Sequence, residues 1–344
     1  MTTTLPAPPA DRPVRGSFDA LLRARELGIA LVIALVVIVT AVNNSHFLDA
    51  SSVQQLLSGA ALIALLSVGE TLVIVTRNVD LSVGSTLGLS AYCVGSLFKH
   101  HHIPVWSGFA IAIGIGIVIG AVNGLITTVM RVPSLVVTLA MLYVIRGLDG
   151  VIVHGHTIDP SAIPHSFTEV GFRTFLGVPW LAIVVAIIVG VAGYSMRSFR
   201  SSRDLYAIGS NPEAAALAGI PAARRVFVAF VISGALAGLA GALFLALHAQ
   251  VDNSAGSGYE LTVVSAVVVG GVAIFGGSGT VLGAALGALL LNTINQALVA
   301  SKVSSFWNQA IAGGLLLAAI AFDRWLSLRI ARNLKSAEGA HRDV

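Results

Sequence analysis

Two acidic residues, Glu70 and Asp80, stand within or beside long apolar stretches of the sequence. A charge at membrane depth is costly, so ionisable residues in such stretches usually have a function. Proton-relay chemistry needs several aligned ionisable groups, and only these two acids qualify. We therefore expect both to have structural or path-lining roles. Asp80, predicted near the cytoplasmic end of a span, is expected to cap the helix that starts near Ser82.

Amide and hydroxyl side chains near the ends of other apolar stretches suit a neutral, hydroxylated ligand, because they form hydrogen bonds without carrying net charge. These residues are Asn123, Thr127, Thr128, Asn292, Asn295 and Gln296. We expect a substrate path lined by Asp80, Ser82, Asn123, Asn292 and Asn295. Hydrogen bonding between helices is the alternative role for each of them.

Neither a metal site nor catalysis is predicted. The consecutive residues His100, His101 and His102 cannot all face one point, and no carboxylate or cysteine spacing supports a metal site. The sequence has no G-x-S-x-G, H-E-x-x-H or G-x-x-x-x-G-K-[ST] motif. We therefore expect no enzymatic activity and no ATP hydrolysis by this chain, so that energy for any transport comes from another subunit or an ion gradient.

The elements that position these residues are predicted to be membrane helices. Of the 344 residues, 56% are apolar and 10% are charged, and mean hydropathy is +0.89, whereas soluble domains carry about 25% charged residues. A helical span needs about 20 apolar residues. The candidate windows are 27–42, 54–76, 81–98, 105–129, 133–153, 175–195, 226–248, 261–275, 279–300 and 307–323. We predict an all-α, polytopic bundle of about ten spans, in which the short window 261–275 ends in a glycine-rich turn or a break.

Lysine and arginine accumulate on the cytoplasmic side of membrane proteins and so predict the orientation. With ten spans and the N-terminus inside, 16 of the 20 cationic residues fall in inner segments. The exceptions are Lys99, Arg146, Arg173 and Lys302. Both termini are then cytoplasmic, with tails at 1–26 and 324–344, a transmembrane domain at 27–323 and a cytoplasmic loop at about 196–225. The cations form no basic face, which argues against nucleic-acid binding.

Glycines repeat at a spacing of four residues, which places them on one helix face and permits close helix packing. They are Gly116, Gly120 and Gly124, then Gly234 and Gly238, then Gly279, Gly283 and Gly287. The single cysteine, Cys93, allows no intrachain disulfide.

The cytoplasmic loop contains the signature of a short helix. Asn211 is a good N-cap, Pro212 suits the first helical position, and Glu213 favours the positive end of the helix dipole. The remaining residues of the signature are Ala214, Ala215, Leu217 and Gly219, the last of which can close the helix in a left-handed conformation. Isolated helices this short are marginal in water, so this one is expected to need a partner.

This loop resembles the coupling loop of ABC-importer permeases in the branch that carries ribose and other monosaccharides. Three further stretches resemble that branch in the expected order: VDLSVGS at 79–85, VPS, TL and RGL within 132–148, and GYEL, VVGG and GGSG within 258–279. The resemblance covers residues 53–323. It departs at Arg77-Asn78, where the family often has a Gly-Gly pair.

The resemblance implies a non-hydrolytic subunit of the bacterial inner membrane. Two permease copies, identical or mixed, would form the path; two ATP-binding subunits would dock beneath, and a periplasmic binding protein would deliver sugar. ATP is used by the ATP-binding partner, and this chain is expected to bind no cofactor. Its spans are expected to contact membrane lipid. The helix at 211–219 would transmit closure of the ATP-binding subunits. A bulky charged residue at Ala215 is therefore expected to abolish transport while the permease stays folded in the membrane. His154, His156 and His165, in the outer loop, are hypothesised to contact the binding protein.

Three alternatives remain open at this point. Within the same family, the cargo is a monosaccharide or another small polyol such as autoinducer 2. A different class is a proton- or sodium-coupled secondary transporter, which uptake measurements would separate from an ATP-driven importer. An intramembrane enzyme would need a paired acid or a nucleophile–base set, which we do not find in the sequence.

Overall fold

The computed structural model describes residues 15–101, 103–153, 157–304, 306–307 and 309–321. Helices dominate these ranges, which confirms the predicted all-α class. They are α1 (Arg15–Asn43), α2 (Ala50–Ile74), α3 (Val83–His101), α4 (Val105–Val129), α5 (Ser134–Val153), α6 (His165–Phe172), α7 (Trp180–Ser198), α8 (Arg200–Ser210), α9 (Pro212–Leu217), α10 (Ala222–His248), α11 (Tyr259–Val269), α12 (Val281–Ala300) and α13 (Gln309–Ala321). Two short strands, β1 (Thr174–Phe175) and β2 (Val178–Pro179), pair in an antiparallel hairpin.

Each predicted window coincides with a helix, but the helices differ in their capacity to span a membrane. Seven described helices are long and apolar enough: α1 from Glu26, α2, α4, α5, α7, α10 and α12. Helix α11 has 11 residues, which cover about 16 Å of a hydrocarbon core about 30 Å thick. The count of ten spans stays a prediction. Helix α1 begins inside the predicted tail 1–26, and the predicted tail 324–344 lies outside the described residues.

Helix α2 forms the centre of the bundle. Its residues are buried continuously from Ala60 to Ile74, and it contacts α7, α10, α11 and α12. A helix that is apolar around its whole circumference is stable only when neighbours cover every face. Helix α2 therefore runs through the interior of the bundle, covered by its neighbours.

The glycine repeats permit the closest helix contact in α4 and α10. A Cβ atom added at Gly116 would overlap the carbonyl oxygen of Gly234, and one added at Gly238 would overlap that of Ala112. Backbones can approach this closely only where side chains are absent. The predicted packing role is confirmed for the glycines of α4 and α10. Gly279 does not share a helix face with Gly283 and Gly287 as predicted, because it precedes α12 and has a φ angle of 131°.

We expect Gly116→Ala to destabilise the protein, because the added methyl group must push α4 away from α10. Overpacking of a tight contact costs about 1–3 kcal/mol. The matched control is Gly114→Ala on the same helix, since an added Cβ there meets no atom within 4 Å. Thermal unfolding in detergent measures the effect. Equal unfolding temperatures for the two variants would contradict the close packing of α4 and α10.

Helix α11 ends at Val269, and the chain runs without helix to Val281, where α12 begins. Gly276 and Gly277 have φ angles of 79° and 80° in this segment, a left-handed conformation that favours glycine. The segment 261–275 is therefore helical only in its first part. The turn after it brings α12 back against α11, where a Cβ atom at Gly287 would overlap the carbonyl oxygen of Ala266.

Candidate functional site

The short helix that the loop sequence predicts is present as α9. Oδ1 of Asn211 accepts a hydrogen bond from the Ala214 amide at 3.0 Å, and Pro212 occupies the first turn. Gly219 has a φ angle of 72°, and the Ile220 amide donates to the carbonyl oxygen of Ala215 at 3.0 Å. Both ends of the helix are thus capped as the residue types indicate.

The two faces of α9 differ sharply in exposure. Ala215 is 3% exposed and packs in the apolar cluster that contains Leu205 and Val226. Glu213 is exposed, and Leu217 is 91% exposed. Ala215 therefore anchors α9 to its own bundle, and a charge placed there disturbs that contact first. Leu217 lies on the face that is open to a partner.

The segment before α9 is held by Arg77, which follows helix α2. Its Nε donates to the carbonyl oxygen of Gly209, and its Nη2 donates to that of Ser210 at 2.7 Å. A side chain at Gly209 would overlap the carbonyl oxygen of Val75, while the Gly277 amide donates to the same oxygen at 2.9 Å. We call this junction the Arg77 clamp. It joins the end of α2, the end of α8 and the turn before α12.

The clamp explains the departure of the sequence from the family pattern. Arg77 has a φ angle of 65°, in the left-handed region where glycine has no steric cost and other residues are uncommon. The arginine adopts this conformation while its guanidinium group binds two carbonyl oxygens. Sequence reasoning located the unusual residue but had no means to identify its partners, which lie 132 and 133 positions later.

Helix α8 has two further connections to the bundle. Oδ2 of Asp204 accepts hydrogen bonds from Nε of Arg225 at 2.9 Å and from its Nη2 at 2.8 Å. The Tyr206 hydroxyl donates to the carbonyl oxygen of Gly279 at 2.9 Å. Burial raises the pKa of Tyr206, with Arg197 acting in the opposite direction, so the hydroxyl stays a donor at neutral pH. Together these contacts make α8 and α9 a rigidly attached unit.

Three residues of the predicted substrate path form one buried network. Oδ1 of Asp80 accepts from the amide and the hydroxyl of Ser82 at 3.0 and 2.6 Å, and Nδ2 of Asn123 donates to that hydroxyl oxygen at 2.8 Å. Oε1 of Glu70 accepts from the Asp80 amide at 3.0 Å. All four side chains are at most 1% exposed. Their hydrogen bonds hold the irregular chain between α2 and α3.

The depth of Asp80 differs from the sequence expectation. Its Oδ2 lies 3.5 Å from the hydroxyl of Ser233, which is eleven residues, or about 16 Å, into α10 from Ala222. Asp80 therefore lies deep in the bundle and not at its end. Irregular backbone is tolerated at such depth only where protein surrounds it and satisfies its polar groups.

The other two residues of the predicted path, Asn292 and Asn295, lie elsewhere. They line a cavity of about 420 Å³ between α2, α10, α11 and α12. Because α2 and α11 start at this end while α10 and α12 finish there, the cavity is at the end of the bundle opposite to α9. Of the five residues of the predicted path, three therefore lie in a packed network and two line an open cavity.

The motif stretches that are far apart in sequence meet in space. The Val79 amide donates to Oγ of Ser134 at 3.2 Å, and the Thr138 hydroxyl donates to the carbonyl oxygen of Val79. A side chain at Gly84 would overlap Oε2 of Glu260. Parts of the three motif stretches therefore contact one another inside the bundle.

The histidines show no common site. Among the described residues, no group of three or more His, Cys, Asp or Glu side chains is arranged to hold a metal ion. Nδ1 of His165 lies 3.4 Å from Oε1 of Glu169. His102, His154 and His156 lie outside the described residues, so the hypothesis of a contact with a binding protein stays a prediction.

A polytopic helical bundle with a capped, exposed helix at one end and a polar cavity at the other is the architecture expected of a transport permease. The family described as "Branched-chain amino acid transport system / permease component" matches residues 52–320, and the chain belongs to this family. The resemblance to importer permeases is thereby confirmed. The chain is a multi-pass protein of the bacterial inner membrane.

Curated relatives are similar over most of their length. The chain is 36% identical to the "Autoinducer 2 import system permease protein LsrC" of Enterobacter sp. (strain 638), over 92% of this chain and 91% of that one. The proteins of the same name from Klebsiella pneumoniae and Escherichia coli K12 are 35% and 31% identical, over 92% and 90% of this chain and 91% and 90% of theirs. No solved structure is significantly similar.

Proposed function

We propose that this chain is the non-hydrolytic permease subunit of an ATP-driven importer for a small, neutral, hydroxylated molecule. The observation that carries the proposal is α9, a capped helix that is fixed to the bundle through Ala215 and presents Leu217 at 91% exposure. A six-residue helix is unstable alone, so its anchoring and its open face suit docking of a separate ATP-binding subunit. ATP is bound by that partner.

The remaining partners follow from the same assignment. A periplasmic binding protein delivers the cargo to the end of the bundle that carries the polar cavity. Helices α1, α5 and α7 keep most of their apolar surface uncovered, which suits contact with lipid and with a second permease copy. The relatives' name supports autoinducer 2 as cargo, and the sequence resemblance supports a monosaccharide such as ribose. Both are small polyols.

The test is energised uptake by the purified complex. The tagged chain is isolated from its own organism in mild detergent, the co-purifying proteins are assayed for ATPase activity, and the complex is reconstituted into vesicles with its binding protein. We expect uptake of labelled ribose or autoinducer 2 only when ATP is present on the side of the vesicle membrane where the ATP-binding subunits lie. Uptake driven by a proton or sodium gradient without ATP would overturn the proposal and support a secondary transporter.

A further inference from the structure

The cavity beside Asn292 has the size and lining of a small-molecule site. Its volume of about 420 Å³ lies within the range of about 300–1,000 Å³ that ligand pockets occupy. Polar side chains reach it from four helices, including His248 at the end of α10, and the others belong to α2, α11 and α12. These others are Gln55, Ser58, Tyr259, Asn292, Asn295 and Gln296. None of the described residues that line it is Asp, Glu, Lys or Arg.

Two of these polar groups are buried and have hydrogen-bonding capacity to spare. Ser58 and Asn292 are both 4% exposed. Nδ2 of Asn292 donates to the carbonyl oxygen of Leu56 at 2.8 Å, which fixes the plane of the amide. The Ser58 hydroxyl and Oδ1 of Asn292 form no hydrogen bond with another described residue. Buried polar groups normally have partners, so these two are ready to bind a ligand.

Gly59 preserves the space in front of the amide. A Cβ atom at this position would lie 2.9 Å from Oδ1 of Asn292, closer than carbon and oxygen atoms normally approach. Any larger residue would displace the amide from its place. The absence of a side chain at Gly59 therefore keeps Asn292 in the cavity wall.

Two smaller cavities lie beside this one and share lining residues with it. Gln55 and Phe172 also line a cavity of about 170 Å³, and His248 and Tyr259 also line one of about 270 Å³.

The chemistry of the lining selects a class of ligand. Amides and hydroxyls both donate and accept, as a polyol requires, and the faces of Phe172 and Tyr259 offer apolar surface for its C–H groups. The lack of Asp, Glu, Lys and Arg among the described lining residues disfavours an ionic ligand, because a buried charge needs a compensating partner.

We propose that this cavity is a binding site for the neutral polyol cargo, with Ser58, Asn292, Asn295 and Gln296 as its hydrogen-bonding residues. The proposal rests on the importer function and deepens it. Cargo released by the binding protein would pair with these amides before it crosses the membrane.

A labelling experiment tests the site without requiring transport. In a Cys93→Ser background, which removes the single cysteine, Asn295→Cys is treated with a small thiol-specific reagent in the purified complex. We expect saturating ribose or autoinducer 2 to slow labelling at least about threefold. The matched control is Asn43→Cys, at an exposed asparagine at the end of α1, where the same cargo should leave the rate unchanged.

Uptake kinetics give the second measurement. Asn295→Leu combined with Gln296→Leu should raise the KM for uptake about tenfold, since each lost hydrogen bond weakens binding several-fold. Unprotected labelling together with a wild-type KM would overturn the site. If the wild-type complex shows no ATP-dependent uptake but cargo still protects Asn295→Cys, the importer function fails and the binding site stands.

Discussion

Replacing Leu217 with arginine is expected to abolish ATP-driven uptake while the permease remains folded in the membrane. Leu217 is 91% exposed at the end of α9, so the substitution breaks no contact within the bundle. Burial of a leucine in a partner's groove contributes about 1.5–3 kcal/mol, and a charge in its place adds a desolvation cost. The association should weaken at least about 10- to 100-fold.

The measurement is capture of the ATP-binding subunit by the tagged permease, followed by uptake in vesicles. Leu176→Arg is the matched control, because Leu176 is 89% exposed but lies in the hairpin turn between β1 and β2, remote from α9. It should capture the subunit normally. If Leu217→Arg captures as much ATPase as the wild-type chain, α9 is not the docking helix.

The same comparison separates docking from anchoring. Ala215→Glu places a charge inside the cluster of Leu205 and Val226, so it should detach α9 and lower the unfolding temperature as well as transport. Leu217→Arg should lower transport alone. The sequence predicted that both residues belong to the helix, but only the direction each side chain takes in the fold distinguishes their roles.

Features that depend on nearby residues were predictable from the sequence. The caps of α9 arise from contacts within a few positions, as in the bond between Asn211 and Ala214, so residue types suffice to predict them. The apolar windows likewise predict helices, because hydrophobicity over about 20 residues is a local property. The glycine spacing at Gly116 and Gly234 predicted a close contact but could not identify the helix pair.

Features that depend on distant residues could not be predicted. Asp80 was expected near the end of a span and is instead bonded deep in the bundle beside Ser233, because the chain after α2 turns back inward. The polar cavity requires Gln55 and Asn295 to meet across 240 positions of sequence. Such juxtapositions follow from the packing of whole helices, which no local pattern encodes.

Removing the Arg77 clamp is expected to uncouple ATP hydrolysis from transport. Arg77→Gly deletes the two hydrogen bonds to Gly209 and Ser210 while it keeps the left-handed backbone free of strain. Hydrogen bonds to a charged donor contribute about 1.5–3 kcal/mol each, so the end of α8 should loosen from α2. We expect a complex that assembles and hydrolyses ATP but whose uptake falls at least about tenfold.

Arg131→Gly is the matched control for this variant. Arg131 has a similar φ angle, 57°, and follows α4 at the same end of the bundle, but it is exposed and has no hydrogen bond to a described residue. Its replacement should therefore leave both activities unchanged.

A second comparison uses Arg77→Ala, which loses the same bonds but retains a conformation that costs about 1–2 kcal/mol for residues other than glycine. It should transport as poorly as Arg77→Gly and unfold at a lower temperature.

The coupling role of the clamp follows from the position of α2. One end of this helix is joined through Arg77 to the residue before the Asn211 cap, and its other end carries Gln55 and Ser58 in the cavity wall. The 17 residues from Ser58 to Ile74 correspond to about 25 Å of continuous helix, so a displacement of α8 and α9 should shift the cavity wall as well. With Arg77 intact, ATP should therefore alter the rate of thiol labelling of Asn295→Cys. In the Arg77→Gly complex this effect of ATP should be lost. Wild-type uptake by Arg77→Gly, with the ATP effect on labelling intact, would show that the coupling motion bypasses the clamp.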